Sequence, residues 1–183
     1  LKNIISQVKE EKINGINVTV PFKKIVIPFL DDLTPEAKIT QSVNTIYLQD
    51  GKIIGHNTDI AGFDLSIKFL KYDVTGKKIF ILGAGGVVPS IIYSLQKMKA
   101  SKILLSNRTI KRAESLKNLF KDLEIVEWGV TPNFDMVINA TSIGLKNEDG
   151  IKLDYNKIGS NKFFYDVIYN PKETVFLNKA KLS

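Results

Sequence analysis

Lys23 and Asp59 are the residues in this chain best suited to move a proton. Lys23 follows the run Asn17-Val18-Thr19-Val20, which stops at Pro21. Asp59 follows a second run through Gly55-His56-Asn57-Thr58. Strand ends in an α/β sheet gather at one edge, where ligands bind. An ammonium and a carboxylate meeting there could hold a polyhydroxy substrate and exchange a proton with it. Unperturbed lysine titrates near pH ~10.4 and aspartate near ~3.9, so exchange at neutrality needs a depressed lysine or a water relay. Each residue also has a plainer reading. Asp59 can serve as a helix N-cap, and Lys23 is one of many lysines, since every basic residue but Arg108 and Arg112 is a lysine. His56, the single histidine, lies on a hairpin strand whose alternation puts it on the solvent face. With no cysteine beside it, no metal site is expected.

A second group of residues points to a dinucleotide. Gly83-Ala84-Gly85-Gly86 stands between an apolar run of strand length and a helical pattern. There the chain must turn tightly and let its backbone approach a pyrophosphate, held by free N–H groups and the positive end of the helix dipole. Val88 takes the place where Gly or Ala packs more closely, and Pro89 fits the first helical turn, where its missing N–H breaks no internal bond. An NAD-binding fold places a carboxylate at the end of the next strand. Here that place reads Ser106-Asn107-Arg108-Thr109, then Lys111 and Arg112. Guanidinium groups bind a 2′-phosphate that a carboxylate would repel, so the segment is suited to NADP(H). Basic residues at a helix start are disfavoured by the dipole, which itself suggests a bound anion.

The elements that must position these groups read as follows. A helix spans 2–11 and a strand spans 13–20. A short helix runs from Phe22 toward Ile27, and Thr34-Pro35-Glu36 starts another, with Thr34 as its cap. A hairpin turns at Asp50-Gly51. A helix over 60–70 shows Phe63, Ile67 and Leu70 at helical spacing. After a boundary near 72–76, strands at 77–82, 102–107, 124–128, 135–141 and 163–169 alternate with helices through Ile91 to Met98, over 111–121 and from Pro171 onward. That alternation argues an α/β fold with a parallel, right-handed sheet. The expected organisation is two α/β domains. Residues 1–75 form a partial substrate and catalytic domain with a linker helix, and residues 76–183 a Rossmann-like NADP-binding domain.

Composition narrows the classes. At 183 residues and 44% hydrophobic content the chain can bury a core. No apolar run is long enough to span a membrane as a helix. The net charge of +7 comes from scattered lysines rather than a basic run, which argues against nucleic acid as a partner. The lack of cysteine excludes disulfides and thiolate chemistry and fits a cytoplasmic protein. The chain starts at Leu1 and stops within a helical pattern, as an interior piece of a longer protein would.

Seven stretches stand in the order found in shikimate dehydrogenases: NVTVPFK, SVNT (42–45), NTD (57–59), GAGG (83–86), NRT (107–109), INATSIG (138–144) and YDVIYNP (165–171). The chain resembles that family over nearly its whole length. The resemblance implies NADP-dependent interconversion of 3-dehydroshikimate and shikimate, in aromatic amino acid biosynthesis. It implies Lys23 as the catalytic lysine, with Asp59 as its carboxylate partner. Thr19, Asn44 and Tyr169 join Asp59 as substrate contacts. Gly83, Ala84, Gly85, Gly86 and Val87 form the phosphate loop. Asn107, Arg108, Thr109, Ile110, Lys111 and Arg112 select NADP, and Thr141, Ser142 and Val167 lie near the nicotinamide. The family's N-terminal strand with its serines and its C-terminal helix with a substrate-contacting glutamine are not found here. The resemblance therefore implies a fragment with an incomplete substrate site. A quinate/shikimate dehydrogenase and a non-catalytic NADP-binding relative are the alternative readings, and a homodimer is allowed.

Overall fold

The structure, a computed structural model, describes residues 1–146 and 150–182. The chain divides into two compact units, Leu1–Asp73 with Pro89–Ser94, and Val74–Val88 with Leu95–Ser183.

The first unit opens with α1 (Lys2–Lys9), β1 (Gly15–Asn17), α2 (Phe22–Ile25) and one 3₁₀ turn at Ile27–Phe29. It continues through β2 (Asp32–Leu33), α3 (Pro35–Thr40), β3 (Thr45–Gln49), β4 (Lys52–His56) and α4 (Asp59–Phe69). The strands form a mixed sheet in the order β1-β3-β4-β2, antiparallel except where β2 runs parallel to β4. Asp50 and Gly51 both take positive φ, 50° and 73°, the twist a two-residue hairpin turn requires. The core joins Ile5 and Val8 of α1 to Val18, Val26, Ala37, Val43, Ile46 and Ile53. A Cβ on Gly55 would lie within 2.9 Å of methyl groups of Leu30, Leu33 and Val43, so a larger residue here would force those side chains to repack.

Several sequence expectations are corrected here. The strand expected over 13–20 is confined to three residues, because Phe22 N–H donates to Thr19 O at 2.8 Å and turns the chain. Thr34 sits at the N-cap of α3, yet its hydroxyl does not cap; it pairs with His56 Nδ1 at 3.1 Å. His56 is accordingly half-buried rather than on an open solvent face. In α4, Ile60, Phe63 and Ile67 are buried, but Leu70 lies outside the helix and is exposed, since Lys71 takes a left-handed conformation and ends the element.

The second unit contains β5 (Lys78–Leu82), α5 (Val88–Lys97), β6 (Lys102–Ser106), α6 (Ile110–Leu119), β7 (Leu123–Val126), β8 (Met136–Asn139), β9 (Phe163–Asp166) and α7 (Val175–Leu182). Residues 89–94 of α5 group with the first unit. All five strands are parallel, in the order β7-β6-β5-β8-β9. This is the doubly wound order in which the chain reverses direction across the sheet after β7. Ile79, Ile81 and Leu105 are buried, as are Phe80, Leu82 and Leu104, so both alternating faces of the central strands are covered. Phe134 packs on Phe80 and meets Phe164 edge-on, and Phe164 contacts Phe176. Tyr155 stacks on Phe164 beside them. Burial, and secondarily the charge of Asp166, pushes the Tyr155 hydroxyl up to about 12. The strands expected to reach residues 128, 141 and 169 end earlier. The helix expected from Pro171 begins at Val175, because the Thr174 hydroxyl accepts from Leu177 N–H at 3.3 Å and caps it there. Among the described residues no helix is long and apolar enough to cross a membrane.

Asp135 ties three strand starts together. Its carboxylate accepts Lys78 N–H at 2.8 Å, its own N–H donates to Lys78 O at 2.8 Å, and its carbonyl accepts Phe163 N–H at 2.9 Å. The bond from Lys78 N–H, helped by nearby lysines, holds the carboxyl below its usual value. A depressed carboxyl stabilises the fold above its unfolded pKa, and that contribution fades as pH falls through the lower folded value. Asp135→Ala should therefore cost about 1 kcal/mol at neutral pH. In urea titrations the gap from wild type should stay constant between pH ~7 and ~5 and close below about pH 4.

Candidate active site

The site in the first unit is assembled by sheet register. Asn17 is level with Thr45, and Thr45 with His56, so the residues that follow these positions emerge at one end of the sheet. Asn44 is fixed there by its backbone, its N–H donating to His56 O at 3.0 Å and its carbonyl accepting Val18 N–H at 2.7 Å. Lys23, on the four-residue α2, is anchored by its carbonyl, which accepts Val43 N–H at 2.8 Å.

Lys23 Nζ donates to Asp59 Oδ2 at 2.6 Å, with the two side chains 13% and 20% exposed. The other carboxylate oxygen, Oδ1, accepts from Asn44 Nδ2 at 2.9 Å. Asn44 Nδ2 also reaches Thr58 Oγ1 at 2.8 Å, and its Oδ1 accepts Thr58 N–H at 2.9 Å. Both carboxylate oxygens are thus engaged and Asp59 is oriented. An ammonium carries three N–H donors, and Asp59 is its one partner among the described residues. Donors remain to meet a substrate oxygen. Such a pair can hold a hydroxyl and move its proton.

Asp59 is the first residue of α4, with Thr58 as N-cap, and its side chain turns to Lys23 instead of capping the helix. Thr19 lies exposed on the turn that leads into α2. Tyr169 belongs to the second unit and is 88% exposed. Sequence reasoning passed over Asn57, whose side-chain Oδ1 accepts Asp59 N–H at 3.0 Å. Its place in Asn57-Thr58-Asp59, an Asx residue two before a helix start, was the available signal.

In the second unit the glycine turn follows β5 and leads into α5. Gly83 takes φ 105°, and a Cβ there would lie 2.7 Å from Ala140 O, so conformation and space both demand glycine. Gly85 faces solvent, and Ala84, Gly86 and Val87 are half-buried. At the end of β6, Asn107 Nδ2 folds onto Thr109 O at 2.8 Å. Thr109 stands at the N-cap of α6, whose first turn holds no acid. Ile110, Arg108, Lys111 and Arg112 are exposed, and among the described residues no carboxylate pairs with the three cations.

The loops after β8 and β9 are held by a partly buried polar network centred on the buried Asn139. Asn139 Nδ2 donates to Asp166 Oδ1 at 3.0 Å and to Ile143 O at 3.1 Å. Asn139 Oδ1 accepts from Thr141 Oγ1 at 2.8 Å, while Thr174 Oγ1 donates to Asp166 Oδ2 at 2.7 Å. Thr141 and Val167 are half-buried and Ser142 is exposed on these loops. Among the described residues no group of His, Cys, Asp and Glu could hold a metal ion.

These features suit a dinucleotide carrying an extra phosphate. Gly83 must stay bare for Ala140 to pack against the turn, Gly85 beside it is exposed, and the start of α6 carries three cations with no carboxylate partner among the described residues, a set of groups able to meet phosphates.

Comparison with known proteins agrees. Residues 1–46 match the shikimate dehydrogenase substrate binding domain, and residues 65–148 match shikimate / quinate 5-dehydrogenase. The NADP(+) shikimate dehydrogenase of Pelagibacter ubique is 59% identical over 181 residues, 99% of this chain and 68% of that protein. The crystal structure of the Aquifex aeolicus enzyme superposes with TM-score 0.88 at 42% identity, covering 100% of this chain and 68% of that one. The Thermus thermophilus shikimate 5-dehydrogenase, solved with NADP(H) and shikimate, gives TM-score 0.88 at 28% identity, over 100% of this chain and 68% of that one. The chain spans about two thirds of the length of these relatives. With this sheet order, this glycine turn and 59% identity to a relative over 99% of this chain, the chain belongs to the shikimate dehydrogenase family.

Proposed function

We propose that the protein is an NADP-dependent shikimate dehydrogenase, interconverting 3-dehydroshikimate and shikimate. The observation that carries the reading is the 2.6 Å contact between Lys23 and Asp59, in a chain 59% identical to a relative of that name. Asp59 holds the Lys23 ammonium in place, and Asn44 holds Asp59. When bound, NADPH supplies the hydride that reduces the ketone to an alcohol. Lys23 then gives a proton to the carbonyl oxygen as negative charge builds there, and in the reverse direction takes it from the hydroxyl. Asp59 stabilises the ammonium and accepts a hydrogen bond from the same substrate hydroxyl. Thr19 and Tyr169, both exposed, are the further substrate contacts in this reading.

For the cofactor, the backbone of Gly83 to Val87 holds the pyrophosphate. Arg108, Lys111 and Arg112 receive the 2′-phosphate, with Asn107, Thr109 and Ile110 shaping that loop. The family resemblance supports Thr141, Ser142 and Val167 beside the nicotinamide, and the Asn139–Asp166 network fixes their loops.

Two measurements on the full-length protein test this reading. Lys23→Ala and Asp59→Asn should each lower kcat for shikimate oxidation at least about 100-fold, the usual scale of a lost proton-transfer group. Activity that survived both changes would remove the pair from the mechanism. Arg108→Ala should weaken NADPH binding about tenfold, the worth of one charge-assisted contact near the surface, and leave NADH almost unchanged. Equal losses for both cofactors in fluorescence titrations would defeat the phosphate assignment.

A further inference from the structure

Asn57, two residues before Asp59, is a buried polar side chain at 2% exposure. Its Nδ2 donates toward Ser90 Oγ at 2.9 Å, Ser42 O at 3.0 Å and Thr40 Oγ1 at 3.2 Å. Its Oδ1 accepts Asp59 N–H at 3.0 Å. The amide can face only one way. Thr40 gives its own proton to Glu36 O at 2.7 Å, so its lone pairs face Asn57, and Asp59 N–H needs an acceptor. Thr40, Ser42 and Ser90 are themselves buried, so these bonds cannot be exchanged for water.

We propose that Asn57 is a positioning residue for the reaction, setting the first turn of α4 and so the Asp59 carboxylate, with Ser90 in α5 fixing Asn57. The inference rests on the reading of Lys23 and Asp59 as the proton-transfer pair. Asp59 is held at three points. Lys23 and Asn44 take its carboxylate oxygens, and Asn57 takes its backbone. The first two govern where the oxygens point. The third governs where the residue stands, because the opening N–H groups of a helix have no partner within it. Removing that acceptor frees the turn that carries the carboxylate, and a displacement near one ångström at a reacting group costs up to about 100-fold in rate. Ser90 is the third residue of α5, the helix that follows the glycine turn. It groups with the first unit, as Asn57 and Asp59 do.

A double-mutant cycle on the full-length protein tests this. Asn57→Ala, Asp59→Asn and the double variant are compared by kcat, by KM for each substrate and by thermal melting. Asn57→Ala should lower kcat about 10- to 100-fold where Asp59 is present, with KM for NADP within about twofold of wild type. In the Asp59→Asn background the same change should cost less than about threefold, because the group it positions is gone. Equal fold losses in both backgrounds, or a kcat loss no larger than the unfolded fraction explains, would overturn the proposal. Should Asn57→Ala not fold, Ser90→Ala goes through the same cycle. A kcat loss of about three- to tenfold present only with Asp59 supports the inference, and an equal loss in both backgrounds overturns it. Wild-type kcat in Asp59→Asn alone is a separate result, which removes the proton-transfer pair itself and this inference with it.

Discussion

A carboxylate withdrawn from water needs its charge answered and its lone pairs filled. Asp59 is the place where this chain meets that demand. Lys23 answers the charge at 2.6 Å and Asn44 takes the other oxygen at 2.9 Å. Lys23, Asn44 and Asp59 itself come from three separate stretches, the segment after β1, the approach to β3 and the exit from β4. They can meet only if the sheet holds its register. A shift of one residue along β3 would turn Asn44 to the other face and leave Asp59 Oδ1 without its partner. The mixed sheet of the first unit is in this sense the frame of the ion pair. The bonds from Asn44 backbone to Val18 and His56 are where the frame is fastened.

The second unit solves a different problem by different means. A phosphate is best met by backbone N–H groups, so the side chain must be removed where the chain turns. Gly83 is held to glycine by its own unit, through a φ of 105° and through the 2.7 Å that a Cβ would leave to Ala140 O, while Gly85 beside it is exposed. The strand providing that oxygen's neighbourhood, β8, lies beside β5 and ends in Asn139, whose amide then secures the loops beyond both β8 and β9. A single buried asparagine organises local structure in each unit, Asn139 here and Asn57 in the first. Buried amides suit this work because they donate and accept at once without carrying charge.

Much of this was legible in the chain itself, for identifiable reasons. The parallel sheet showed because both faces of β5, β6 and β8 are buried, and their sequences are therefore continuously apolar. The hairpin showed because Asp50-Gly51 suits two positive φ values. The glycine turn showed because only glycine suits the φ and the close approach to Ala140 at Gly83. Where a boundary depends on a distant partner, the sequence was silent. The start of α7 at Val175 is set by a Thr174 hydroxyl bound to Asp166. Thr34 looked like a helix cap, but His56 takes its hydroxyl. Leu70 fits the helical period and still lies outside α4, because Lys71 ends the helix. The two-residue β2 has too short a pattern to show at all.

The sequence by itself determined the alternation of strands and helices, the place of the glycine turn and the identity of the residues able to do chemistry. These are properties of residue type and near-neighbour spacing, which act within one turn or one strand. The tertiary structure decided that Lys23 touches Asp59, that Asn44 completes the carboxylate, and that Asn57 stands behind it with its amide filled. Each of those facts joins segments far apart in the chain through strand register and side-chain burial. Hydrogen bonds reach about three ångströms whatever the distance along the sequence, so only the folded arrangement can choose their partners.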